Sequence, residues 1–106
     1  MYESLALTEA VYYILLSLYT PQHGYGIIGQ TEELSEGRVR LAAGTLYGAL
    51  GNLCDKGWIA ALPEVDGSRR KEYKLTEKGI RILKNELTRL QQLVANGEKI
   101  MGGTGV

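Results

Sequence analysis

A mainly α-helical domain closed by a small β-hairpin is what three features of this sequence predict. Residues 44–53 carry Leu46, Leu50 and Leu53 at spacings of four and three, with Ala49 between them, so a helix there has one apolar face. Gly57 stops that helix directly after Lys56, whose charge suits a helix C-terminus. Two short alternating runs, residues 58–62 and 71–75, then flank Asp66-Gly67, a strong hairpin signal. Just past that turn stand Ser68, Arg69, Arg70 and Lys71, with three cations in succession on the hairpin edge. A short helix packed on a two-stranded ribbon with a basic tip is the geometry of a winged helix-turn-helix.

The 106 residues suffice for one domain that buries roughly two-thirds of its surface, with no need of a disulfide or metal to fold. Cys54 is the one cysteine, so no internal disulfide forms, and its spacing from Leu50 and Leu53 makes it a small apolar residue rather than a nucleophile. His23 is the one histidine and has no partner at metal-ligand spacing. It reads as a hydrogen-bonding residue of a turn, and neither metal nor cofactor is expected. No nucleophile stands with a base, so the chain does not read as an enzyme. Neither a signal peptide nor a membrane-length apolar run is visible, and the expected compartment is the reducing cytoplasm.

Net charge is zero, but its distribution is uneven. Residues 1–37 hold five glutamates and neither Lys nor Arg. Residues 38–74 hold seven cations against four acids, and residues 75–106 hold five against three. An acidic front and a basic middle is the polarity that one DNA-facing surface produces, and so modest a charge favours a dimer.

In chain order, Thr8 and Glu9 supply an N-cap and a first-turn acid for a first helix. From Ala10 to Tyr19 that helix is apolar nearly all round, which predicts burial all round and a second chain on part of it. Pro21 is expected to close it, with residues 20–24 as a turn. A second helix is expected from Gly24 or Tyr25 to Ser35, stopped by Gly37, with Ile27, Ile28, Thr31 and Leu34 facing inward. Its glycines, Gly24, Gly26 and Gly29, each cost about 1 kcal/mol relative to Ala, and close packing is the favoured reason for them. Residues 38–41 alternate and are expected to add a small strand beside the hairpin. Thr76 caps a fourth helix over about residues 76–97, whose Ile80, Leu83, Leu87, Leu90 and Val94 form a heptad seam. Gly97 is expected to end it and residues 102–106 to be disordered, leaving residues 1–101 as a single domain.

Four runs in this order resemble the PadR family of transcriptional regulators: His23-Gly24-Tyr25-Gly26-Ile27, Gly44-Thr45-Leu46-Tyr47-Gly48-Ala49-Leu50, Leu53 with Lys56-Gly57-Trp58-Ile59, and Arg70 to Gly79. The likeness spans about residues 5–95, and the single short C-terminal helix resembles the smaller branch of that family. It implies a winged-helix repressor that dimerises through its first and last helices, here through Val11, Leu15, Leu18, Ile80, Leu83, Leu87, Leu90 and Val94. It also implies that Thr45, Tyr47 and Gly48 open the recognition helix and that Arg69, Arg70 and Lys71 form the wing. Some members of that family bind a small, often aromatic or cationic, effector at or near the dimer interface; here Tyr12, Tyr13 and Trp58 are the candidate lining, with core packing as the first reading of the tyrosines. Two positions depart from the family pattern: Ala43 stands where a hydroxyl side chain is common, and Gly51 where a basic residue is common.

Residue chemistry assigns the same roles. Thr45, Tyr47, Gly48 and Asn52 face away from the leucine stripe, and Asn52 has the groups to pair with adenine. Lys56, Arg69, Arg70 and Lys71 suit phosphate or minor-groove contacts, and Tyr25, Arg40 and Ser68 complete the set expected on double-stranded DNA. Packing between helices is an equal reading of Tyr47, and plain solvation a competing one of Asn52. A winged-helix module that binds protein and not DNA is the alternative function, favoured by Gly51 and the zero net charge.

Overall fold

Thr8 starts the first helix as its sequence position implies: its hydroxyl accepts a hydrogen bond from the Val11 N–H at 3.1 Å. The computed structural model describes residues 6–64 and 70–102. Helix α1 is Glu9–Ser17, and it ends before Pro21 because i→i+3 bonds from Leu18 and Tyr19 tighten the last turn. Strand β1 (Gln22–His23) and helix α2 (Gly24–Leu34) follow directly. Helix α3 (Ala43–Asp55), strands β2 (Ile59–Ala61) and β3 (Glu72–Leu75), and helix α4 (Glu77–Met101) complete the order. Four helices and a three-stranded antiparallel sheet in the order β1-β3-β2 make a winged helix. The Asp66-Gly67 turn, Ser68 and Arg69 lie outside the described residues, as do residues 103–106.

The core joins all three of the first helices to the sheet and the start of α4. Leu15, Leu18, Ile27, Leu46 and Leu50 are fully buried, with Leu53, Trp58, Ile59, Tyr73, Leu75 and Leu83 closing around them. Leu15, Leu18 and Leu83 are therefore spent on this chain's own core, and the docking stripe expected from the sequence narrows to what remains outside it. Within the single chain α1 is partly covered: Val11, Tyr12, Tyr13 and Leu16 are half-buried, and Tyr19, just past the helix, is exposed.

Further expectations fail for local reasons. The third strand is β1, in register Gln22↔Tyr73 and His23↔Glu72, and residues 38–41 form no strand. Ser35 takes that backbone instead, its hydroxyl accepting from the Val39 N–H at 2.9 Å. In α2, Leu34 faces solvent rather than the core, and only Gly24 and Gly26 meet close neighbours, since a side chain at Gly29 would enter open space. α4 also runs through Gly97 to Met101, where Gly102 in the left-handed region caps it.

One junction orients the wing and α4 together. Gly57, at φ 75°, ends α3, and the carbonyl of Trp58 then accepts the Thr76 N–H at 3.0 Å. The Thr76 hydroxyl donates to the Gly57 carbonyl at 2.6 Å and accepts from the Gly79 N–H at 3.1 Å. A Cβ at Gly79 would stand 2.0 Å from the Trp58 oxygen, so only glycine fits there. At the other end of the interface between α1 and α4, the buried Glu86 accepts the Leu7 N–H at 3.1 Å and two bonds from Arg89 at 2.7 Å each. The Arg89 hydrogen bonds and the Leu7 N–H hold its carboxyl below the usual range, against burial.

Two glycine substitutions separate these constraints. Gly79→Ala should lose about 1–3 kcal/mol of stability, because the obstacle is backbone. Gly51→Ala, whose Cβ enters open space on α3, should gain up to about 1 kcal/mol. Thermal or urea unfolding of both variants measures the contrast. Glu86→Gln should destabilise at neutral pH. Because the folded carboxyl titrates lower than the unfolded one, the wild-type advantage is full above about pH 4.3 and fades as pH falls through the folded value. Melting curves of the two proteins should therefore converge in acid.

Candidate nucleic-acid interface

Burial of Leu46, Leu50 and Leu53 fixes which face of α3 looks out. Thr45, Tyr47, Gly48, Gly51 and Asn52 are all exposed, as the apolar stripe requires. Ala42, not Ala43, takes the N-cap position and offers no side-chain bond. Gly44, Gly48 and Gly51 have open space where a side chain would be, leaving the outward face of α3 unusually smooth.

The start of α2 lies beside that face. His23 caps α2, its Nδ1 accepting from the Gly26 N–H at 3.2 Å, which is the turn role its sequence context implies. Tyr25 in the first turn is 71% exposed. Gly24 admits the end of the Tyr47 ring, since a Cβ there would sit 2.5 Å from the tyrosine hydroxyl oxygen. Both readings of Tyr47 therefore hold: it packs on α2 and remains half exposed. A cavity of about 390 Å³ forms here, lined by His23, Gly24, Tyr25, Tyr47, Arg70, Lys71 and Tyr73. Within it Arg70 Nη1 lies 3.3 Å from His23 Nε2.

Gly48, Asn52 and Lys56 line a different hollow on the other flank of α3. Its volume is about 560 Å³, and its far wall is residues 6–8, Val11 and Trp58. Lys56 Nζ rests 4.8 Å above the Trp58 ring, a cation–π contact. Arg40 sits apart from both groups, turned toward Glu32 at 3.9 Å, while Arg38 pairs with Glu9. These exposed pairs are worth little and open readily.

The three candidate effector residues do not share a pocket. Trp58 is nearly buried behind Lys56. Tyr12 and Tyr13 meet edge to face at 6.3 Å and line a separate hollow of about 340 Å³ with Leu7, Glu9, Glu86 and Leu90. Burial and the neighbouring Glu86 push the Tyr12 hydroxyl up. Cys54 is half-buried, and burial raises its thiol above the ordinary range, the opposite of a reactive cysteine. Among the described residues no group of three or more His, Cys, Asp or Glu is placed to hold a metal, and no helix is long and apolar enough to cross a membrane.

A winged helix with an exposed α3 beside the basic residues that precede β3 is an architecture of transcription regulators. Within that class, the chain belongs to the transcriptional regulator PadR-like family, whose model matches residues 13–85. A PadR family transcriptional regulator from Eggerthella lenta DSM 2243 is 25% identical with a TM-score of 0.67, over 90% of this chain and 80% of that one. Bacillus subtilis PadR, solved in complex with operator DNA, is 25% identical with a TM-score of 0.62, over 76% of this chain and 48% of that one. A PadR family regulator from hypervirulent Clostridium difficile R20291 reaches a TM-score of 0.71 at 24% identity, covering 87% of this chain and 98% of that one. Comparison with functionally curated proteins yields no match.

Proposed function

We propose that this protein is a sequence-specific repressor that binds an inverted-repeat operator as a homodimer and is released by a small aromatic or cationic effector. The observation that carries this reading is the convergence of three elements on one exposed surface. Tyr25 from α2, Thr45 and Tyr47 from α3, and Arg70 and Lys71 beside β3 all stand at or around the N-terminal half of the recognition helix. The operator-bound Bacillus subtilis PadR supports DNA as the partner. Thr45, Tyr47 and Asn52 are the base-reading candidates, and the smooth face at Gly48 allows the helix backbone a close approach to a groove. Arg70 and Lys71, with Ser68 and Arg69 next to them in sequence, hold phosphates. Arg40 and Lys56 reach phosphates only by leaving Glu32 and the Trp58 ring.

Dimerisation falls to the outer half of α4. Leu87 and Val94 are 46% and 61% exposed, and Leu90 lies half-buried between them on the same stripe. Val11 and Ile80 are partly buried against the chain's own core. The hollow beside Tyr12 and Tyr13 includes Leu90, so an effector held there would act at the dimer contact. The hollow beside Trp58 would act through α3 itself. DNA as a partner places the protein in the cytoplasm. The glycine-smooth face of α3 also suits a protein partner, and loss of selective DNA retention would favour that second reading.

Two experiments test the proposal. Footprinting on a selected genomic fragment should show two protected half-sites about 34 Å apart, one helical turn, in inverted orientation. Thr45→Ala should relax selectivity within a half-site by roughly 1–3 kcal/mol. A single asymmetric protected patch would contradict the dimer on DNA. Separately, Leu87→Glu with Leu90→Glu should give a folded monomer by sedimentation, since Leu87 is not part of the chain's own core.

A further inference from the structure

We infer that Gly24 is a positioning residue for the recognition helix: it seats the Tyr47 ring against the start of α2 and so fixes what the outward face of α3 presents to DNA. The inference rests on the DNA-binding reading above, and it gives a role to a residue outside the expected DNA-contact set.

Glycine at this position answers to the ring and not to the backbone. Gly24 opens α2 and is buried, and its φ lies outside the left-handed region, so the chain path there needs no glycine. The three atoms nearest to a Cβ built on it all belong to Tyr47, at 2.5, 2.9 and 3.3 Å. Other glycines with close neighbours differ. At Gly79 the obstacle is the Trp58 backbone, and at Gly26 it is the side chain of Gln22, which is itself bonded to Gln30 and to the Ser17 carbonyl. Tyr47 is half exposed, so a methyl at Gly24 displaces a surface ring and leaves the backbone in place.

The direction in which the ring can move makes its seat matter. On a helix surface, the neighbours of Tyr47 are the residues three and four away. Gly44 and Gly51 hold those places, and each has open space where a side chain would be. Tyr47 is also the largest side chain on an outward face otherwise made by Thr45, Gly48, Gly51 and Asn52. Seated over Gly24, its ring leaves that smooth face clear for a groove and stands at the α2 edge, as a wall of the cavity shared with Tyr25 and Lys71. Unseated, it turns over the glycines and holds the helix off the bases. Base readout needs α3 within hydrogen-bond reach of base edges, whereas phosphate contacts position the protein without reading sequence. Gly24 therefore acts on selectivity, through Tyr47, and not on charge.

Gly24→Ala is the test. It should melt at the temperature of the unaltered protein or slightly above, since Ala favours a helix more than Gly does. Its preference for the genomic fragment selected in footprinting, over an unrelated duplex of equal length, should fall roughly tenfold, the scale of one lost base contact. Because no cation has moved, the salt dependence of binding to the unrelated duplex should stay the same. In a Tyr47→Ala background there is no ring to displace, so adding Gly24→Ala should change selectivity no further. Unchanged selectivity in Gly24→Ala, or an equal further loss in the Tyr47→Ala background, would overturn the assignment. So would a clear fall in melting temperature that Tyr47→Ala fails to relieve, since the obstacle would then be backbone. NMR of the free protein reads the seat without DNA: nuclear Overhauser contacts should join the Tyr47 ring to the Gly24 α-protons and be lost in Gly24→Ala. Their absence from the unaltered protein would overturn the seat itself. Their presence in a protein that binds no duplex selectively would instead fail the repressor reading, and the role in selectivity with it.

Discussion

The carbonyl of Trp58 is the point on which the wing and the long helix both depend. Gly57 turns the chain out of α3, and Trp58 enters the core directly afterwards. Its carbonyl accepts the Thr76 N–H, the Thr76 hydroxyl reaches back to the Gly57 carbonyl, and Gly79 lies against the same oxygen with no room for a side chain. The end of the recognition helix, the first residue before β2 and the first turn of α4 are thereby fixed to one another. A shift at this point would move the basic residues beside β3 relative to α3 and tilt α4 relative to both.

From that junction the geometry passes through the sheet to the side proposed to face DNA. β3 pairs with β2 in the register Ala61↔Tyr73 and with β1 in the register His23↔Glu72. The strand that leaves the wing therefore begins beside the start of α2, and α2 in turn meets α3 where Tyr47 crosses Gly24. Three elements far apart in sequence arrive at one surface because a four-residue strand touches two of them and a tyrosine bridges the third. Core leucines hold α3 in place, but the sheet register decides which cations stand next to it.

Local chemistry was legible in the sequence, and tertiary coverage was not. Thr8 and Thr76 as caps, Gly57 as a stop and the alternation of the two hairpin strands each follow from backbone requirements within a few residues. The seam of α4 was readable as apolar, but periodicity does not say what covers a stripe. Leu83 and the α1 residues Leu15 and Leu18 went to the chain's own core, while Leu87 and Val94 stayed outside. Strand β1 was invisible because two residues carry no alternation, and only pairing with β3 makes them a strand. Gly97 misled for an energetic reason: a penalty of about 1 kcal/mol does not stop a cooperative helix of 25 residues. The separation of Trp58 from Tyr12 and Tyr13 depends on the crossing of α1 between α3 and α4, which no spacing encodes.

The central claim is that the start of α2, the N-terminal half of α3 and the residues beside β3 form a single DNA-binding face. Backbone amide shifts of the ¹⁵N-labelled protein, followed as duplex DNA is added, test it most directly. The account predicts that the largest changes group at His23–Tyr25, Thr45–Gly48 and Arg70–Lys71, with little change at the Glu32–Gly37 end of α2. Changes concentrated at that acidic end, or confined to the outer half of α4, would contradict it.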